Sequence, residues 1–216
     1  MKVSIIITSY NYGEFLERSI RSCLTQNWES KNFEVICIDD RSEDRSIDIM
    51  KKYSLRHENF RYHVNAENVG VAGSANAGIR LAEGRYFVRV DADDYVSRDF
   101  ARLMCMALED NSNDYLGVTC DYYLVTDTEE KIKRVQHQIE PISCAMMYRM
   151  DRFVNVHNVY DPSFRHREEE ALRKQMGVDY KLLHLPLALY RYRMHDRNKT
   201  KNLEEMSKAE LNLRYV

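Results

Sequence analysis

No stretch of this 216-residue chain approaches the run of ~18 to 20 apolar residues that crosses a membrane. The amino terminus, Met1 to Ile7, passes straight into a β-branched run without a signal-peptide cleavage region, so cytoplasmic folding is expected. An excess of charge of either sign is missing too. The formal net charge is −2, which leaves no global basic field for nucleic acid. The five cysteines, Cys23, Cys37, Cys105, Cys120 and Cys144, are odd in number, widely spread and contain no C-x-x-C pair. That spacing indicates neither a disulfide framework nor a zinc site, and three of the five, in apolar surroundings, read as core thiols. Gly70-Val71-Ala72-Gly73 lacks the G-x-G-x-x-G spacing, and no G-x-x-x-x-G-K-[ST] occurs. Those absences argue against a dinucleotide fingerprint and a P-loop NTPase. There is no internal repeat, no low-complexity tract and no Pro/Gly-rich linker. With 44% apolar and 31% charged residues, the composition is that of an ordinary globular domain.

What is present alternates. Val3 to Thr8 is β-branched and apolar, a buried strand. Phe15, Leu16, Ile20, Cys23 and Leu24 mark one face of a helix. Phe33 to Ile38 reads as a second strand, then a helix from Glu43 to His57 capped by Ser42, then a strand from Phe60 to Val64. A small-residue helix from Val71 to Glu83 leads to a strand through Tyr86, Phe87 and Val88. This order predicts an α/β fold with a mostly parallel sheet covered by helices on both faces. Beyond Ser97 the pattern predicts a helix to Asp110, a strand from Tyr115 to Val125 and a helix from His166 to Met176. Short strands at Tyr180 to Leu185 and Ala188 to Tyr192 and a terminal helix over 203–216 complete it.

Ligands of such sheets bind beyond the carboxyl ends of the strands. Here those ends are polar: Thr8-Ser9-Tyr10, Asp39-Asp40 and Asp91-Ala92-Asp93-Asp94. The last places three like charges within four residues. A divalent cation would neutralise them, and Mg²⁺ and Mn²⁺ favour carboxylate oxygens shared with substrate phosphates. A solvated turn capping the next helix is the alternative.

Four blocks, "VSIIITSYNYGEFLERSIRSCLTQ", "FEVICIDDRSED", "NVGVAGSANAGIRLAEGRYFVRVDADD" and "LYRYRMHDRNKT", together resemble the family 2 glycosyltransferases of GT-A fold. The likeness spans nearly the whole chain in the right order. It implies one domain over 1–216, with a nucleotide-sugar-binding half at 1–96 and an acceptor-binding half at 97–216. It implies inverting transfer from a nucleoside-diphosphate sugar, expected to be UDP-linked, to a glycan, lipid-linked or protein-linked acceptor. Surface polysaccharide biosynthesis is the implied setting, in the cytoplasm and compatible with peripheral contact at the inner face of the membrane. By the same match Thr8, Tyr10, Asp39, Asp40, Asn68, Asp91 and Arg193 would bind the nucleotide. Asp93, Asp91 and His195 would hold Mn²⁺ or Mg²⁺. Glu169, then Glu168, would be the catalytic base after Tyr160-Asp161-Pro162-Ser163-Phe164. The residues Arg191, Arg193 and His195 would share one side of a strand.

Two departures stand out. Glu169 occupies a position where the family has Asp, and Ala75 one where many relatives carry Arg. Arg80 or Arg89 would then supply a phosphate contact, or nucleotide binding is weaker. Two other readings compete: a catalytically weak or inactive nucleotide-sugar-binding module, and a sugar-phosphate nucleotidyltransferase. The latter would want a Gly-rich, Arg-containing loop after the first strand, where this chain has Ser9-Tyr10-Asn11-Tyr12-Gly13.

Overall fold

A computed structural model describes residues 2–111, 114–153, 158–164 and 167–198. The terminal helix expected over 203–216 lies outside these residues, as do Arg165 and His166. The first half builds β1 (Val3–Ser9), α1 (Leu16–Leu24), β2 (Phe33–Asp39), α2 (Ser46–Ser54), β3 (Phe60–Val64), α3 (Gly70–Leu81) and β4 (Tyr86–Asp91). Its strands pair in parallel in the order β3-β2-β1-β4. Successive side chains of a strand face opposite ways. Ile5 and Ile7 accordingly join Leu16, Ile20 and Met50 on one face, while Ile6 joins Ile36, Ala72 and Ala75 on the other. The small residues of α3 let it lie close to the sheet. A Cβ on Gly78 would fall 2.4 Å from Ile6 Cγ2.

Register decides where the polar strand ends meet. Ser9 is level with Asp39 across β1 and β2, and Thr8 with Asp91 across β1 and β4. The three clusters therefore share one edge, as the alternation predicts.

Beyond β4 come β5 (Tyr95–Val96), α4 (Phe100–Glu109), β6 (Gly117–Val125), β7 (Lys131–Val135), β8 (Met146–Arg149), α5 (Glu168–Met176) and β9 (Leu182–Arg193). The sheet continues β4-β8-β6-β9-β5, with β7 on β6. Strand β8 is antiparallel to β4 and β6, and β9 returns parallel to β6. The two short strands expected around 180–192 form one strand, β9. It passes Pro186 by shifting register against Cys120, Asp121 and Tyr122, which spares the ladder an amide that proline lacks. Strand β9 ends at Arg193, so the alternation expected to carry His195 stops short of it.

Ser42 does not cap α2. That helix starts at Ser46, whose backbone N–H and hydroxyl donate to Asp44 Oδ1. The Ser42 hydroxyl instead accepts the Asn11 N–H at 2.9 Å. All five cysteines are free and buried, in keeping with core thiols.

Candidate active site

A cavity of about 610 Å³ opens at the carboxyl edge of the parallel strands, a size ordinary for a small-molecule site. Thr8, Ser9 and Tyr10 follow β1 into it, Asp40 follows β2, and Asp91 to Asp94 follow β4. The first turn of α5 closes another side with Glu168, Glu169 and Glu170, and Ile142 to Cys144 add a third. The cavity thus collects Thr8, Tyr10, Asp40, Asp91, Asp93, Glu168 and Glu169 of the residues singled out from sequence. Asp39, Asn68, Arg193 and His195 do not line it.

The strand-end carboxylates differ in what already holds them. Asp40 accepts from Asn65 Nδ2 and the Val69 N–H through Oδ1, and from the Gly70 N–H through Oδ2, all within 2.8–2.9 Å. It ties the end of β2 to the start of α3. Asp39 is fully buried; Oδ2 accepts the Ser42 N–H and Oδ1 has no partner. Asn68 donates to the Asp40 carbonyl. Tyr10 is 40% exposed at the cavity rim, where a flat ring can lie against a base.

Asp91, Asp93 and Asp94 each bring a carboxylate oxygen within 4.8 Å of the others. Asp94 is buried, and both its oxygens are engaged, by the Tyr190 hydroxyl at 2.7 Å and the Arg193 N–H at 2.8 Å. Burial, then the charges of Asp93 and Asp91, push its pKa well up. Of the three, Asp91 and Asp93 are the half-buried ones, and both line the cavity. This all-oxygen set fits a hard divalent cation that shares its remaining ligands with a diphosphate. His195 reaches the cluster through Asp93, with Nε2 3.0 Å from Oδ2. Its Nδ1 accepts the Arg197 N–H, which assigns the proton to Nε2 and makes it the donor to Asp93. Arg193 is spent on the carbonyls of Asp93 and Asp127 and on Glu129.

The α5 side is a different environment. Glu168 Oε1 pairs with Arg89 Nη1 at 2.6 Å, and both residues are buried. Arg89 also approaches Asp91 Oδ1 at 3.4 Å, so one guanidinium links the two sides. Arg80 lies elsewhere, in a second hollow beside Asn158, and Ala75 packs in the core with Ile6. Glu169 Oε1 accepts from the Tyr148 hydroxyl at 2.5 Å and from the Tyr180 hydroxyl. Its Oε2 is buried and has no partner. Burial pushes the Glu169 pKa up to about 7, against the Tyr148 bond and the Arg89 charge, which lower it. A carboxyl poised near neutrality with one bare oxygen can take a proton from a hydroxyl.

Sequence reading singled out neither Tyr148 nor Tyr180, nor Tyr190, whose hydroxyl serves Asp94 and accepts the Asp91 N–H. Tyr190 lies within the last of the four blocks but carries no role there, and no motif announces Tyr148 or Tyr180; the fold brings all three to the carboxylates.

Comparison with known proteins adds a family and a fold. The model of "Glycosyl transferase family 2" matches residues 4–173. Poly(ribitol-phosphate) beta-glucosyltransferase of Bacillus spizizenii is 34% identical over 119 residues, 54% of this chain and 19% of that protein. Among solved structures, S. aureus TarS residues 1–349 in complex with UDP-GlcNAc superposes with a TM-score of 0.80 at 18% identity, covering 98% of this chain and 66% of that one. The mannosyltransferase PcManGT from Pyrobaculum calidifontis, in complex with GDP-Man and Mn²⁺, gives 0.75 at 14% identity, over 98% and 62%. The chain thus spans less than two thirds of these relatives. The α/β, GT-A fold expected from the sequence is the fold found.

Proposed function

The chain belongs to glycosyl transferase family 2, and from that premise we propose that it transfers a sugar from a UDP-linked donor to a glycan, lipid-linked or protein-linked acceptor hydroxyl, with inversion. One observation carries the proposal: Glu169 stands in the same cavity as the Asp91–Asp93 pair, buried, with a pKa of about 7 and Oε2 bare. Inverting transfer needs such a base. The acceptor oxygen bonds to the anomeric carbon, its proton passes to Glu169 Oε2, and the sugar–phosphate bond breaks with its electron pair going to the diphosphate. Asp91 and Asp93 would hold Mn²⁺ or Mg²⁺, which when bound stabilises negative charge on the leaving diphosphate. Arg89 keeps Glu168 and Asp91 in place between the two sides. Thr8 and Tyr10 line the donor end, while Asp39, Asp40 and Asn68 shape its floor. Arg193 and His195 act from behind, by fixing the 91–94 turn.

The relatives' printed activities, on poly(ribitol-phosphate) for one of them, favour surface polysaccharide assembly as the setting. No helix of the described residues is long and apolar enough to cross a membrane. We place the reaction in the cytoplasm, at the inner membrane face when the acceptor is lipid-linked.

The test begins with thermal stabilisation by UDP, GDP, CDP and TDP, each with Mn²⁺, Mg²⁺ or EDTA. A nucleotide at about 100 times its Kd adds ~2.7 kcal/mol. A shift with UDP that needs metal and disappears in Asp93→Ala supports the donor and metal assignments. Equal shifts with EDTA would overturn the metal reading, and a response to GDP alone would replace the donor.

A further inference from the structure

Three elements converge on one oxygen of Glu169. Tyr148 comes from β8 and is buried, Tyr180 from the turn before β9, and Glu169 from the first turn of α5. The two phenol oxygens lie 2.9 Å apart, brought together by the acceptor they share, since each gives its single proton to Oε1. Both hydroxyls meet Oε1, and none of the described groups meets Oε2. Hydrogen bonds on one oxygen of a carboxylate do two things. They fix the plane of the group, and they leave the other oxygen as the place where a proton arrives or departs. They also favour the charged form, because a phenol donates more strongly to a carboxylate than to a carboxylic acid.

We propose that Tyr148 and Tyr180 are positioning residues for the transfer reaction: together they reserve Oε2 of Glu169 as the proton acceptor and favour the carboxylate over the carboxylic acid. The inference rests on Glu169 being the base. The other groups facing Glu169 set the balance the phenols act within. On its own helix Glu168 disfavours its charge and Arg173 favours it, while from β4 Arg89 favours it. The Tyr160 hydroxyl shares its surroundings, and Arg173 lies over the Tyr180 ring with 5.4 Å to its centre. Burial outweighs all of these. Without the phenols the same burial would act with less opposition, and the carboxyl would stay protonated at the pH where it must accept.

The experiment reads the protonation of Glu169 directly. Protein labelled at the glutamate side-chain carboxyl carbon is titrated by ¹³C NMR, and the Glu169 signal is identified by its loss in Glu169→Gln. Tyr148→Phe and Tyr180→Phe are each expected to raise the titration midpoint by roughly one to two pH units, the worth of a hydrogen bond to a charged group. The acid limb of the kcat/KM profile, followed as UDP released from the UDP-sugar the enzyme accepts, should move with it. A midpoint unmoved in both variants overturns the inference, including when melting temperature falls, since that is what a purely structural tyrosine would give. Tyr180 is only half-buried, so its phenylalanine variant tests the idea even where Tyr148→Phe does not fold. Glu169→Gln separates the two levels. A fully active Glu169→Gln enzyme removes the base reading itself, whereas an inactive one with unmoved midpoints removes only the role of the tyrosines.

Discussion

Asp40 and Glu169 are equally hidden, each 4% exposed, and both line the same cavity. Their surroundings are opposite. Asp40 sits where strands end and a helix begins, and backbone N–H groups of Val69 and Gly70 with the Asn65 amide fill its oxygens. Glu169 sits between sheet and helix with two phenols on one oxygen and nothing on the other. A buried carboxylate with its acceptor sites filled is a structural tie. One left half-satisfied where it lines a cavity, as Glu169 does and the half-satisfied Asp39 does not, can exchange a proton with what binds there. The two sides of the cavity therefore offer different groups: the strand ends a tied floor beside the Asp91–Asp93 pair, and α5 a buried carboxyl with one oxygen bare.

The sharpest way to break this contrast is Glu169→Gln. Donor binding, read as thermal stabilisation by UDP and metal, should remain, while transfer falls by about 10²-fold or more, the usual cost of losing a general base. Full activity would move the base to Glu168. The native enzyme's kcat/KM should rise with pH up to about 7, as Glu169 loses its proton.

Stability should respond to the same titration with the opposite sign. The folded-state pKa of Glu169 is raised from 4.5 to about 7, so the folded chain holds the proton more tightly than the unfolded one. Its contribution is full below pH 4.5 and is lost as pH rises to about 7. The loss is on the order of 3 kcal/mol. Denaturant melts between pH 4 and 8 should show this fall in the native chain and not in Glu169→Gln. Parallel curves for the two proteins would mean that water reaches the carboxyl.

Asp40→Asn should act through hydrogen bonds instead. An amide offers one acceptor oxygen and turns its NH₂ toward an N–H that needs an acceptor. Leaving one such buried donor unpaired costs ~1 to 3 kcal/mol. The melting temperature should fall, with amide exchange rising at Val69 and Gly70. A variant as stable as the native chain would make Asp40 as reactive a group as Glu169, and the division between floor and chemistry would fail.

The sequence discloses the two sides unequally, and for a physical reason. The floor is local. β-branched runs end in Thr8-Ser9-Tyr10, Asp39-Asp40 and Asp91-Ala92-Asp93-Asp94, and parallel register brings like ends level. The α5 side depends on contacts across the chain. Glu168 and Glu169 are visible as an acidic first turn, but the partners of Glu169 come from position 148 on β8 and position 180 in the turn before β9, which no local pattern brings together. Strand β8 is only four residues long, too short for a period to show. Arg193 and His195 illustrate the converse. Both were legible as site residues, yet they hold the 91–94 turn by its main chain and by Asp93 without lining the cavity.

The smallest test concerns the floor's fine structure. Ser42 looks like a helix cap in sequence, yet its hydroxyl accepts the Asn11 N–H, and Asn11 Oδ1 in turn accepts the Glu43 N–H. This pair clips the loop after β1 to the loop after β2, next to Tyr10. Asn11 sits at a φ of 55°, a left-handed conformation that asparagine tolerates and such a clip helps retain. Ser42→Ala should cost about 0.5 to 1.5 kcal/mol. Amide exchange should quicken at Asn11 and leave the first turn of α2 unchanged, because Asp44 holds that turn. Exchange that quickened at Ile47 and Asp48 instead would restore Ser42 as the cap and reduce the clip to a bystander. UDP stabilisation should weaken slightly in the first case, since Tyr10 is carried by the loosened loop, and stay as it was in the second.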